Sequence, residues 1–109
     1  MINPSIIEDL GEDIFRQATV IFLRNCELDI NSLELAFSSN NLDDIASMSH
    51  KLIGTFGSMR VEQIPALLRE INEATEEAKI EEEVFEEVKE FYEELKIYIK
   101  DNFSIETEA

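Results

Sequence analysis

Apolar residues recur at three- and four-residue steps along most of this chain, and no stretch alternates with period two for long, so the pattern is helical. Asn3-Pro4 reads as a helix start: an N-cap acceptor, then a proline whose missing N–H costs nothing in a first turn. That helix is short, because Gly11 suits its C-terminal end. From Glu12 onward Phe15, Thr19, Phe22, Cys26, Ile30, Leu33 and Phe37 form one face of a long helix. It closes in Ser38-Ser39-Asn40-Asn41, whose side chains compete with helical hydrogen bonding. Asn41 caps the next helix, Asp43 and Asp44 complement its N-terminal dipole, and Ile45, Met48, Leu52, Phe56 and Met59 share its inner face.

Residues 60–65 read as a joint, since Pro65 is tolerated in a first turn and harmful deeper in a helix. A fourth helix sets Leu68, Ile71, Thr75 and Ala78 inward, with Val61 and Ile64 continuing the register upstream. The last runs from about 81 to 100 with Val84, Val88, Phe91, Leu95 and Tyr98 inward and Phe85, Tyr92 and Ile99 flanking. Long amphipathic helices joined by short turns predict an all-α fold, an antiparallel up-down four-helix bundle with a short extra N-terminal helix. One domain is expected over 1–109, with a core of about 4–101 and a frayed tail over 102–109.

Composition agrees with a soluble globular domain, 44% hydrophobic and 31% charged. The net charge of -16 changes the picture more. It opposes binding to nucleic acid, which wants clustered Lys and Arg, and docking on an anionic membrane. It favours partners that are apolar or basic where they touch. No apolar run approaches the ~18 residues of a membrane span, and no signal peptide is visible at the N-terminus, so the chain reads as cytoplasmic. Cys26 is a lone cysteine among apolar helical residues and reads as a small buried hydrophobe. The glutamate-rich region over 70–94 reads first as a solvated helix face.

His50 is the one histidine of the chain. On a helical wheel with Leu52 at zero, Ile45, Met48, Phe56 and Met59 fall within roughly 40° of it and His50 falls at roughly 160°. Ala46, Ser47, Gly54 and Gly57 lie within roughly 60° of the direction of His50. The histidine therefore faces solvent, amid the smallest side chains. Each glycine costs a helix interior about 1 kcal/mol against alanine. Gly57 alone has a ready structural explanation, as a left-handed residue ending the helix. The patch as a whole suits close approach of another protein to the imidazole.

One exposed imidazole limits the chemistry. Metal binding needs several donors, and neither a second His nor a nearby Cys is present, so no metal is expected. A hydrolase needs a pocket and an oxyanion hole, which a convex helix face lacks even with Ser47 and Ser49 beside His50. A nucleophilic imidazole that takes a group from a partner and returns it needs neither. No Gly-rich phosphate loop is present, so no nucleotide site and no cofactor are expected.

The stretch around His50 resembles the histidine-containing phosphotransfer (HPt) domains of two-component phosphorelays. In that family the phosphorylated His is followed by an aliphatic residue at the second position, usually Lys at the third and Gly at the fourth. Leu52, Ile53 and Gly54 occupy those positions. Met48-Ser49 precede the histidine where the family usually ends in Ala, and Leu67-Leu68-Arg69-Glu70-Ile71 is similar to the next helix of the family. The resemblance covers nearly the whole chain and implies a phosphocarrier without its own nucleotide site. It implies that His50 takes a phosphoryl group, on Nε2, from one receiver aspartate and passes it to another. Its partners would be response-regulator receiver domains and a hybrid histidine kinase, and the chain itself would be a monomer. Gly54 and Lys51 are the expected phosphate neighbours, and Ala46, Ser47, Ile53 and Gly57 the expected docking surface. Ile53 departs from the family, since it stands where Lys is usual. That departure keeps a module that docks a receiver or kinase without transfer as an alternative. A second alternative is an acidic helical decoy of a basic surface, using the 70–94 region.

Overall fold

The computed structural model describes residues 1–106, and all five of its helices were expected. They are α1 (Ser5–Leu10), α2 (Glu12–Ser38), α3 (Leu42–Ser58), α4 (Ile64–Glu76) and α5 (Glu82–Phe103). Helix α3 packs against α2 on one side and α4 on the other, and α5 closes the bundle against α4 and α2. Helix α1 packs on α2.

The starts and stops follow local chemistry. The side chain of Asn3 accepts from the Ser5 N–H at 3.0 Å, and that of Asn41 accepts from the Asp44 N–H at 3.1 Å. Gly11 joins α1 to α2 in one residue with φ of 81°, a backbone that side-chain-bearing residues rarely adopt. Between α3 and α4 the chain reverses through Arg60 at φ 55°. The Arg60 guanidinium then bonds Ser5 Oγ at 2.7 Å and the Asp9 carboxylate at 2.6 Å, fastening α1 to the joint.

The core is continuous. Phe15, Leu23, Leu33, Ile45, Leu52, Phe56, Ile64, Leu68, Ile71, Val88, Leu95 and Ile99 are its largest fully buried members. Phe56 stands edge-on to both Phe22 and Tyr92, at centroid distances of 5.5 and 6.3 Å, so it links three helices. Burying a side chain of that size stabilises the fold by about 2–3 kcal/mol.

Four expectations need correction. The inner face of α5 is Phe85, Val88, Tyr92, Leu95 and Ile99, while Val84, Phe91 and Tyr98 are half-buried. Both sets share Val88 and Leu95. The helix turns toward Phe85 because that ring stacks on Phe37 at 4.6 Å. Tyr92 gains partners too, donating to the Glu27 carboxylate at 2.9 Å and the Leu23 carbonyl at 3.3 Å. Helix α4 ends at Glu76, so Thr75 is half-buried and Ala78 is an exposed turn residue at φ 55°. Ordered packing begins before residue 4, because Ile2 is buried and bridges Val61. It also continues past residue 101. Phe103 meets the Phe15 ring edge-on at 5.0 Å, and Ile105 is buried after a left-handed turn at Ser104. Of the tail expected to fray, 107–109 lie outside the described residues.

Candidate functional site

Helix α3 is held from below. Ile45, Leu52 and Phe56 are completely buried, and they set the rotation of the helix that leaves His50 exposed on the opposite crest. The wheel expectation for His50 therefore agrees with its position. The flanks of the crest differ. On the α2 side stand Ser47, Lys51 and Gly54, all exposed. On the α4 side stand Ala46 and Ile53, both half-buried, with exposed Gly57 between the flanks. Ile53 packs against the core cluster, so the third position after His50 is spent on packing.

The two glycines are the informative residues. A Cβ built on Gly54 or on Gly57 meets nothing within 4 Å. Neither has a positive φ, and both lie inside α3. Close helix packing therefore does not explain Gly54, and the structure removes the C-terminal explanation for Gly57, because Arg60 makes the left-handed turn instead. Intramolecular packing requires neither glycine.

Lys51 does not stand free beside the crest. Its ammonium donates to the Asp29 carboxylate on α2 at 3.0 Å, and the Asp29 side chain is 11% exposed. On the other flank the Asn72 amide of α4 donates to the Ala46 carbonyl at 2.9 Å and to the buried Ser49 hydroxyl at 3.2 Å. The turn of α3 that precedes His50 is thus fastened to α4 through Asn72, while Lys51 fastens it to α2.

A shallow groove between α2 and α3, lined by Asn25, Leu28, Asp29, Lys51 and Thr55, runs beside the crest. Among the described residues, the grooves lined by Leu23 and Lys96, by Phe37 and Phe85, by Asp29 and Lys51, and by Ile21 and Thr55 do not include His50. Among the described residues no three His, Cys, Asp or Glu side chains gather to hold a metal. Cys26 is fully buried, and burial pushes its thiol well above the ordinary range, with Asp29 and Glu27 adding to the shift. Among the described residues no helix is long and apolar enough to cross a membrane.

Asp29 and Asn72 were not singled out from the sequence, and their placement depends on which helices pair and in what register. The exposed residues Ile14, Ile21, Leu28 and Leu35 on α2 were also missed, although their seven-residue spacing is readable in the chain. Attention to the inner face hid them. Ile21 and Leu28 border the α2–α3 grooves, so they extend an apolar margin beside the crest.

Comparison with known proteins adds one match. The family model described as Hpt domain covers residues 17–97, most of the chain and all of α3 and α4. No curated protein and no solved structure matches the chain at a significant level.

Proposed function

The chain belongs to the Hpt domain family, which serves two-component phosphorelays, and we propose that its own part is phosphoryl transfer through His50 between receiver-domain aspartates. The observation that carries the reading is the crest: an exposed imidazole beside two helix-interior glycines that no contact within the fold requires. Glycine there leaves a path for a second protein to bring an aspartyl phosphate to the imidazole.

In the transfer the Nε2 lone pair attacks phosphorus in line with the acyl phosphate. The N–P bond forms as the P–O bond breaks, and the receiver carboxylate leaves with the electron pair. Nδ1 keeps its proton, so the charge developing on the ring is that of an imidazolium, and transfer to a second receiver reverses each step. His50 needs no base of its own for this. Docking uses Ala46, Ser47, Ile53, Gly54 and Gly57, with Ile21 and Leu28 offering apolar contact on the α2 side. Hpt modules are phosphocarriers, and the reading assigns this chain no nucleotide site.

A module that docks a receiver without transfer is the second reading. The specific observation favouring it is Ile53, half-buried on the core where the family usually carries lysine. The experiment that decides is incubation with a phosphorylated receiver, following both complex formation and movement of label. Label that reaches the chain in an acid-labile form supports the relay. Binding without label supports the docking module, and no receiver binding contradicts both.

A further inference from the structure

A phosphoryl group on His50 would place a dianion on a protein that already carries a net charge of -16, so the cation that meets it matters. Lys51 is committed to Asp29 at 3.0 Å. Arg60 is committed to Asp9 and Ser5 at the α3–α4 joint. Arg16 donates to the Phe103 carbonyl at the far end of α2. Arg24 lies on the outward side of α2, beyond Leu23 and Glu27, which touch Tyr92 of α5.

Arg69 remains. It is exposed on α4 and, among the described residues, pairs with no carboxylate within 4.0 Å. Its place relative to His50 follows from the Asn72 contacts. Asn72 fixes the level of α4 against Ala46 and Ser49. Arg69 lies three residues nearer the start of α4, about 4.5 Å along the axis. The two helices are joined by a short turn and run antiparallel, so this step moves along α3 from Ala46 and Ser49 to the level of Ser49 to Leu52, which includes His50. On the α4 wheel Arg69 stands about 60° round from Asn72 toward solvent, at the outer edge of the side facing α3. Interaxial distances of about 8–10 Å leave the long guanidinium side chain able to cross to the crest.

We propose that Arg69 is the cation that receives the phosphoryl group on His50, supplied by α4 in place of the lysine that the third position of α3 lacks. The proposal rests on His50 carrying phosphate and deepens that reading. A guanidinium presents paired N–H donors that match phosphoryl oxygens, and its approach from the α4 side leaves the α2 side and the glycines open to the receiver. Beside that position Lys51 on α3 is held by Asp29 of α2 at 3.0 Å, and Glu73 stands one turn beyond Arg69 on α4.

The test uses phosphoramidate as a small donor that labels the imidazole without a receiver, so its outcome is independent of whether a receiver transfers. The phosphoryl 31P shift of the whole labelled chain is then titrated with acid. A neighbouring cation favours the dianion, so Arg69→Gln should raise the pH at which the phosphoryl group takes up a proton, by about half a unit or more. Arg69→Lys should restore most of the difference, and Lys51→Gln, whose ammonium is already paired with Asp29, should move the titration less than Arg69→Gln does. Arg69 is exposed, and the variants should keep wild-type helicity and melting. A wild-type titration in Arg69→Gln, or a larger shift in Lys51→Gln than in Arg69→Gln, would overturn the proposal. Failure of receiver transfer, with the Arg69 effect intact, would count against the relay alone.

Discussion

Gly54 and Gly57 each cost α3 about 1 kcal/mol against alanine, and the space outside each is empty. That loss is explained if the space belongs to a partner. Gly54→Gln should therefore raise stability by about 0.5–1 kcal/mol in urea denaturation while blocking receiver binding in calorimetry. Unchanged binding would contradict the partner-facing role of the patch. His50→Gln should abolish phosphohistidine labelling and leave the melting temperature within about 2 °C of wild type, because the side chain is exposed. These residues are legible in the sequence because one wheel holds them all. Lys51 was legible as a nearby cation, but its commitment to Asp29 was not, since that pair joins residues 22 apart on different helices. Arg69 was visible in the chain only as part of a helix, and the reach to the crest proposed for it depends on the α3–α4 register.

Two seams between elements each make their own prediction. Asn72 spans α3 and α4 with two hydrogen bonds, one to the fully buried Ser49. Asn72→Ala should cost about 1–2 kcal/mol in chemical denaturation, because Ser49 and the Ala46 carbonyl lose a donor in a place with little water. A change below a few tenths would mean that Asn72 does not fasten the two helices. The α2–α5 seam buries Tyr92 and Cys26, and burial raises both acids, with Glu27 also raising Tyr92. In the folded chain they stay protonated where the unfolded chain ionises. Their contribution is intact below the unfolded values of 9.0 and 10.0 and is lost as pH rises through and beyond them. Unfolding free energy should therefore fall from about pH 9 upward, and Tyr92→Phe should flatten the fall. Equal slopes in the two proteins would sink this account of the seam. Helix boundaries were legible to within a few residues from caps and turn residues. The rotation of α5 was not, because two heptad-spaced sets share Val88 and Leu95. Only the stacking of Phe85 on Phe37 and the bonds of Tyr92 decide between them.

Over the whole molecule charge is unevenly spread. Of 25 acidic residues 16 follow Arg60, against five of the nine basic ones, so the part of the chain after Arg60 carries most of the excess. Like charges at this density oppose compaction, and salt screens them. The melting temperature should rise by several degrees between low and physiological ionic strength; a fall would show that the ion pairs, such as Lys89 with Glu34 and Glu86, outweigh the repulsion. The bundle architecture was legible from periodicity alone, whereas the closing of its ends by Ile2 on Val61 and by Phe103 on Phe15 joins residues far apart in the chain. The central claim concerns one nitrogen on that crest. After incubation with a phosphorylated receiver, the chain is fragmented under neutral conditions and the modified residue is located by mass spectrometry. Phosphate on His50, lost on brief acid treatment, is the predicted result. Phosphate on Ser47, Ser49 or any other residue, or none while the receiver stays bound, would contradict the account.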